Sequence, residues 1–348
     1  MNKKLLAVAI AASAFGTQAV AVELYNNDGT TFAVGGHVSV NLNGSDDGAT
    51  EVGTNSSRIN MTATQDVGNG FTVDTRGEWA LNFLDGGEES FTTRLGYVGV
   101  THEDFGRAVA GTQWAPYYDV AGVADMPIAF ANDFLYTLHG EMGTGRGENM
   151  VSYRNGFDFA EAGAVNFGLA WQGQQSVTYT EEERNEVTDI IEISQFDVNY
   201  GNRVQATVSY SLMGATLGYA HNTGTVEGYS LDYNTVSASY GSYGNGLYLA
   251  GVYQNTKDKQ FDDKVDAYEA LAAYGLSNSL NLSINYEMVE GKDGVTGDKA
   301  TAREEMALQA EYNFASNVVG YAGYQFDLKS EDGYKSDDMW TIGARVYL

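Results

Sequence analysis

The sequence predicts an all-β fold: a 16-stranded antiparallel transmembrane β-barrel with an inward-folded constriction loop. Three observations lead there. Apolar and polar residues alternate with period two in segments of about ten residues, the length a tilted strand needs to cross a bilayer. Short and long polar connections alternate along the chain, as they do when one rim carries tight turns and the other long loops. The composition agrees, with 42 Gly, 24 Tyr and only 2 Pro among 348 residues, since paired strands exclude proline.

The same numbers exclude other classes. Apart from the N-terminus no apolar run is long enough for a membrane helix. There is no Cys, so neither a disulfide scaffold nor a Cys-bound metal site is available. Lys plus Arg is 19 against 46 Asp plus Glu, a net charge of −27, which argues against nucleic acid as a partner because phosphate contacts need cations. At 12% aromatic residues the chain is not a solvated disordered acid.

The N-terminus reads Met1-Asn2-Lys3-Lys4, then an apolar stretch from Leu5 to Phe15, then Ala19-Val20-Ala21. A positive head, a short apolar core and an A-x-A site make a secretory signal peptide. The expected division is 1–21 signal peptide and 22–348 barrel. Cleavage removes Lys3 and Lys4 and takes the charge from −27 to −29.

The strands follow in order. Alternation places them near 32–42, 57–65, 71–83, 91–102, 107–113, 148–156, 164–173, 203–212, 215–222, 229–240, 247–255, 265–275, 280–289, 302–314, 319–328 and 339–348. The clearest case sets Leu280, Leu282, Ile284, Tyr286 and Met288 on one face and Asn281, Ser283, Asn285 and Glu287 on the other. The count is even, and the last strand is expected to close against the first, leaving no edge. Phe71, Tyr97, Trp171, Tyr286, Tyr312, Phe314 and Trp340 are expected on the outer face as interfacial girdles. Long polar loops are expected at 43–56, 114–147, 174–202, 257–264, 290–301 and 329–337. A barrel of about sixteen strands encloses water rather than a packed interior.

The stretch from Trp114 to Gly147 holds both prolines, Pro116 and Pro127, and the acids Asp119, Asp125, Asp133 and Glu141. So long a loop is usually functional. Folded inward it narrows the bore and sets carboxylates against Arg58, Arg76, Arg94 and Arg154, which share inward parity on nearby strands; Glu78 and His37 are further inward positions. Opposed charges across a narrow passage select ions. A surface loop with solvated acids is the other reading of this parity.

At these residues the chain resembles the general trimeric porins of Gram-negative outer membranes. The similarity is carried by Arg58-Ile59-Asn60, the turn Asp66-Val67-Gly68-Asn69-Gly70, the run Glu78 to Phe83, Thr93 to Val100 and Arg146 to Asn155. The resemblance implies a homotrimer. It also implies that Arg58, Arg94 and Arg154 correspond to a basic cluster at the constriction. Two departures stand out. Where the family often carries Pro-Glu-Phe-Gly-Gly, this chain reads Pro127-Ile128-Ala129-Phe130-Ala131-Asn132-Asp133, so the loop acid must be Asp119, Asp125 or Asp133. The terminal aromatic is replaced by Leu348.

No zinc-ligand spacing joins His37, His102, His139 and His221, and neither a P-loop nor a nucleophile elbow is present. No metal, cofactor or enzymatic activity is expected. The expected function is a water-filled channel for passive diffusion of ions and small hydrophilic solutes, cation-preferring, in contact with outer-membrane lipids and lipopolysaccharide. An adhesin or phage receptor acting through its long acidic loops is the competing reading. A barrel lipase is the third.

Overall fold

The structure is a computed structural model that describes residues 21–84, 91–132, 142–185, 190–258, 263–329 and 336–348. Residues 1–20, which hold all but the last residue of the expected signal peptide, lie outside that set. The strands are β1 (Val22–Asn27), β2 (Thr30–Ser45), β3 (Glu51–Gly53), β4 (Arg58–Gly68), β5 (Phe71–Leu81), β6 (Phe91–His102), β7 (Gly106–Trp114), β8 (Arg146–Asp158), β9 (Ala164–Gln172) and β10 (Gln175–Asn185). They continue as β11 (Ile190–Tyr200), β12 (Arg203–Leu212), β13 (Ala215–Val226), β14 (Tyr229–Ser242), β15 (Asn245–Asp258), β16 (Lys264–Gly275), β17 (Leu280–Lys292), β18 (Lys299–Ala315), β19 (Val318–Asp327) and β20 (Met339–Tyr347). Among the described residues the connection from β7 to β8 carries the short helix α1 (Pro116–Ala121), followed by a 3-10 turn, Gly122–Ala124.

These segments make sixteen staves. β1 and β20 pair end to end with one side of β2, through Val22↔Val34 and His37↔Tyr347. β3 and β4 share the other side. β10 and β11 pair with each other as a hairpin that joins the barrel at Tyr200↔Val226 of β13. All remaining neighbours are antiparallel, and β2 joins β20 to close the cylinder. Closure satisfies the ladder groups that a sheet edge would leave bare in lipid.

The burial is inside out. Leu282 and Ile284 are 47% and 42% exposed, whereas Asn281, Ser283, Asn285 and Glu287 between them are buried. Apolar residues thus face the surroundings and polar ones the bore, the arrangement that lipid outside and water inside require. At one short rim Met213 and Gly214 both take positive φ, 52° and 81°, and join β12 to β13 as the two-residue turn whose twist suits antiparallel strands.

The structure departs from the sequence reading in three places. The expected polar loop at 174–202 is the β10–β11 hairpin. The strand β1 extends the last stave, which alternation had begun at 339. Tyr97 faces the bore, not lipid: it pairs with Arg76, and the Arg107 guanidinium lies 5.8 Å from its ring centroid. The cause is a β-bulge. Glu78 pairs with Leu95 and Trp79 with Thr93, so Arg94 is an extra residue and the parity of β6 flips across it.

Candidate functional site

The chain leaves β7 and turns into α1 with Pro116 at its first position, where a missing N–H costs nothing. The helix lies against the inner wall because two glycines make room for it. A Cβ on Gly168 would come within 2.6 Å of Pro116 Cβ, and one on Gly218 within 2.9 Å of Val120 Cγ1. Tyr117 is fully buried; its hydroxyl donates to Gln254 Oε1 at 2.7 Å, and its N–H reaches Gln205 Oε1 at 3.3 Å. Trp114 packs on Tyr118 with ring centroids 4.1 Å apart.

Beyond α1 the loop follows the wall across the bore. Tyr248 of β15 donates its hydroxyl to the Val123 carbonyl at 2.7 Å. Glu311 of β18 accepts from the Ile128 N–H at 2.7 Å. Gln309 clasps Phe130 twice, accepting from its N–H at 3.0 Å and donating to its carbonyl at 2.8 Å. On the return, Asn222 donates to the Met142 carbonyl at 2.6 Å. Wall side chains thus satisfy loop backbone groups that the bore's narrowing takes from water.

Facing this loop is a basic wall from β4, β5, β6 and β20. Glu78 gathers three arginines: Arg76 Nη2 at 2.9 Å, Arg94 Nε at 3.1 Å and Arg58 Nη1 at 3.6 Å. One carboxylate among three guanidiniums leaves the patch positive. Arg345 is held beside it by Ser39 Oγ at 3.1 Å and the Asn55 carbonyl at 3.2 Å. An opening of about 310 Å³ lies between wall and loop, lined by His37, Arg58, Arg94, Glu311 and Arg345 from the strands and by Tyr118 and Asp125 from the loop. Tyr118 donates to Asp125 at 2.7 Å. Burial, then the neighbouring Asp125 charge, pushes its hydroxyl well above the ordinary tyrosine value, so it remains a donor. Opposed charges across so narrow a gap produce a transverse field.

Of the residues singled out in the sequence, Arg58, Arg94, Glu78, His37 and Asp125 meet at this opening. Arg76 supports Glu78 from the wall. Arg154 and Asp119 meet each other instead, with Nε 2.6 Å from Oδ2. Asp133 and Glu141 lie outside the described residues. Arg345, Glu311 and Tyr118 were not singled out. Arg345 and Glu311 sit on the polar parity of their strands, but parity gives no height in the barrel. Among the described residues no cluster of His, Asp and Glu suits a metal ion.

A closed barrel with a lipid-facing apolar surface and a polar bore narrowed by a folded-in loop defines a membrane channel. The family model described as Gram-negative porin matches residues 5–332, and the chain belongs to that family. Outer membrane protein S2 of Salmonella typhi is 27% identical, over 99% of both chains, and outer membrane porin N of Escherichia coli K12 is 25% identical, again over 99% of both. Among solved structures, Salmonella typhi OmpF in complex with daunomycin superposes with TM-score 0.75 at 19% identity, covering 94% of this chain and 100% of that one. An anion-selective porin from Comamonas acidovorans reaches TM-score 0.67 at 18% identity over 92% and 100%. The protein is a multi-pass outer-membrane porin.

Proposed function

We propose that the channel passes ions and small hydrophilic solutes by passive diffusion and prefers cations. The observation that carries the preference is that two acids line the opening, Asp125 from the loop and Glu311 from β18, within a chain of net charge −27. Glu78 offsets part of the arginine charge opposite. The fold leaves the sign open, since a porin described as anion-selective shares it; the lining charges decide it. Reversal potentials in a salt gradient across planar bilayers test this, and anion preference refutes it.

The working unit is a homotrimer embedded in outer-membrane lipid and lipopolysaccharide. One related solved structure is described as a trimer form. Residues 1–21 act as the cleaved export signal and residues 22–348 as the barrel. The loop acid of the constriction is Asp125, with Arg58 and Arg94 its basic counterparts. Migration on SDS gels before and after heating reports the oligomer.

The β10–β11 hairpin favours a second role in recognition. Beyond Tyr200↔Val226 it pairs with no barrel strand among the described residues. Deleting it without loss of conductance, but with loss of phage or cell attachment, would separate the two roles.

A further inference from the structure

One turn of the short-turn rim does not stay at the rim. β14 and β15 are joined by Tyr243-Gly244, and the register slips there: Gly241 pairs with Tyr248 but Ser242 with Asn245, which leaves Gly246 and Leu247 as extra residues on β15. Such a bulge bends the strand that carries it. Gly241, Gly244 and Gly246 take φ of 85°, 78° and 68°, the left-handed region that glycine enters at no steric cost. The bent tip lies over the inner wall. Gly275 of β16 has inward parity, two residues past the buried Ala273, and a Cβ on it would run into the Gly244 backbone. The Met213-Gly214 turn, by contrast, leaves Met213 88% exposed.

Tyr243, at the tip, points up the bore. Its hydroxyl donates to Glu311 Oε1 at 3.1 Å, the same oxygen that accepts from the Ile128 N–H. Its ring meets the Tyr248 ring edge to face, with centroids 6.0 Å apart, and Tyr248 in turn holds the Val123 carbonyl. Glu311 stands four residues before Ala315, the end of β18 at the short-turn rim, about 13 Å along the strand at ~3.3 Å per residue. The turn therefore reaches the constriction from below. Tyr243 borders the opening of about 310 Å³ together with Ile128 and Glu311.

The ring is half-buried. One side is fixed against Tyr248 and the hydroxyl is fixed on Glu311, so the remaining side faces the water path. A bulky group held in this way narrows the passage without belonging to the loop that crosses it.

We propose that Tyr243 is a specificity-determining residue of the channel: its ring bounds the opening on the side of the short-turn rim and sets the largest solute that passes. The proposal rests on the diffusion reading above and extends it from the long loop to a turn of the opposite rim.

Single-channel conductance in planar bilayers tests it, with neutral polyethylene glycols of graded size to read the exclusion limit. Tyr243→Ala should raise conductance at least about 1.3-fold and admit larger polymers, because the diameter of a water-filled passage governs what it admits. Tyr243→Phe keeps the ring and should leave both at the wild-type level. Tyr243→Trp should lower both. Heat-modifiable migration should be the same in all three variants, which separates a change of bore from a loss of fold. Equal conductance and an equal exclusion limit in Tyr243→Ala and wild type overturn the proposal. So does a Phe variant that matches the Ala variant, which would assign the effect to the Glu311 hydrogen bond rather than to the size of the ring. If the Ala variant fails to assemble, undiminished conductance in Tyr243→Trp overturns the proposal by itself. A wild-type protein that does not conduct refutes the diffusion reading as well, whereas a conducting wild type indifferent to residue 243 refutes only this one.

Discussion

Arg154 grips Asp119 through two nitrogens: Nε lies 2.6 Å from Oδ2 and Nη2 3.3 Å from Oδ1, while Nη2 also donates to the Trp114 carbonyl at 2.7 Å. The pair ties α1 to β8 at the point where the loop leaves the wall. Its value is mechanical: it sets where the loop starts its crossing.

Replacing Arg154 with Ala should therefore loosen the loop before it alters the charge of the opening. A pair between exposed and buried is worth about 1–2 kcal/mol, intermediate between the surface and interior cases. Single-channel recordings should show larger and noisier conductance. Quiet, wild-type traces would mean that the Tyr117 and Gln309 contacts suffice to hold the loop.

Arg94 faces the opening directly. Arg94→Ala removes one positive charge from a patch that already holds Glu78, so the reversal potential should move toward stronger cation preference and conductance should rise. Arg58→Ala should act in the same direction. An unchanged reversal potential in both variants would place them off the ion path.

Glu311 has two tasks, charge and acceptance from the Ile128 N–H. Glu311→Gln keeps an acceptor oxygen and removes the charge. Cation preference should weaken while conductance stays near wild type. If conductance rises sharply instead, the carboxylate's main work is holding the loop.

Gly218 and Gly168 admit α1. Gly218→Leu places a side chain where Val120 lies, and the helix must lift into the bore. The barrel ladder is untouched, so heat-modifiable migration should persist while conductance changes. Loss of the folded band would show that the helix seat is needed for barrel closure.

The barrel is legible in the sequence because a strand between lipid and water must alternate residue by residue, as Leu280 to Val289 does. Sixteen such segments, with connections of alternating length, were readable without coordinates. The inward arginines Arg58, Arg94 and Arg154 share a parity that alternation reports, and the loop from Trp114 stands out by length and by its prolines.

Parity says which way a residue points, not how high it stands or what it meets. The bulge at Arg94 reverses β6 and turns Tyr97 inward, a shift that depends on pairing with β5. Arg345 and Glu311 reach the opening only because closure carries β18 and β20 round to it, hundreds of residues from the loop. Arg154 and Arg94 look alike along the chain, yet one anchors a helix and the other borders the water. Local alternation by itself determined the barrel; the closed tertiary structure decided the constriction, because its field arises between charges that only the curvature of the wall brings face to face.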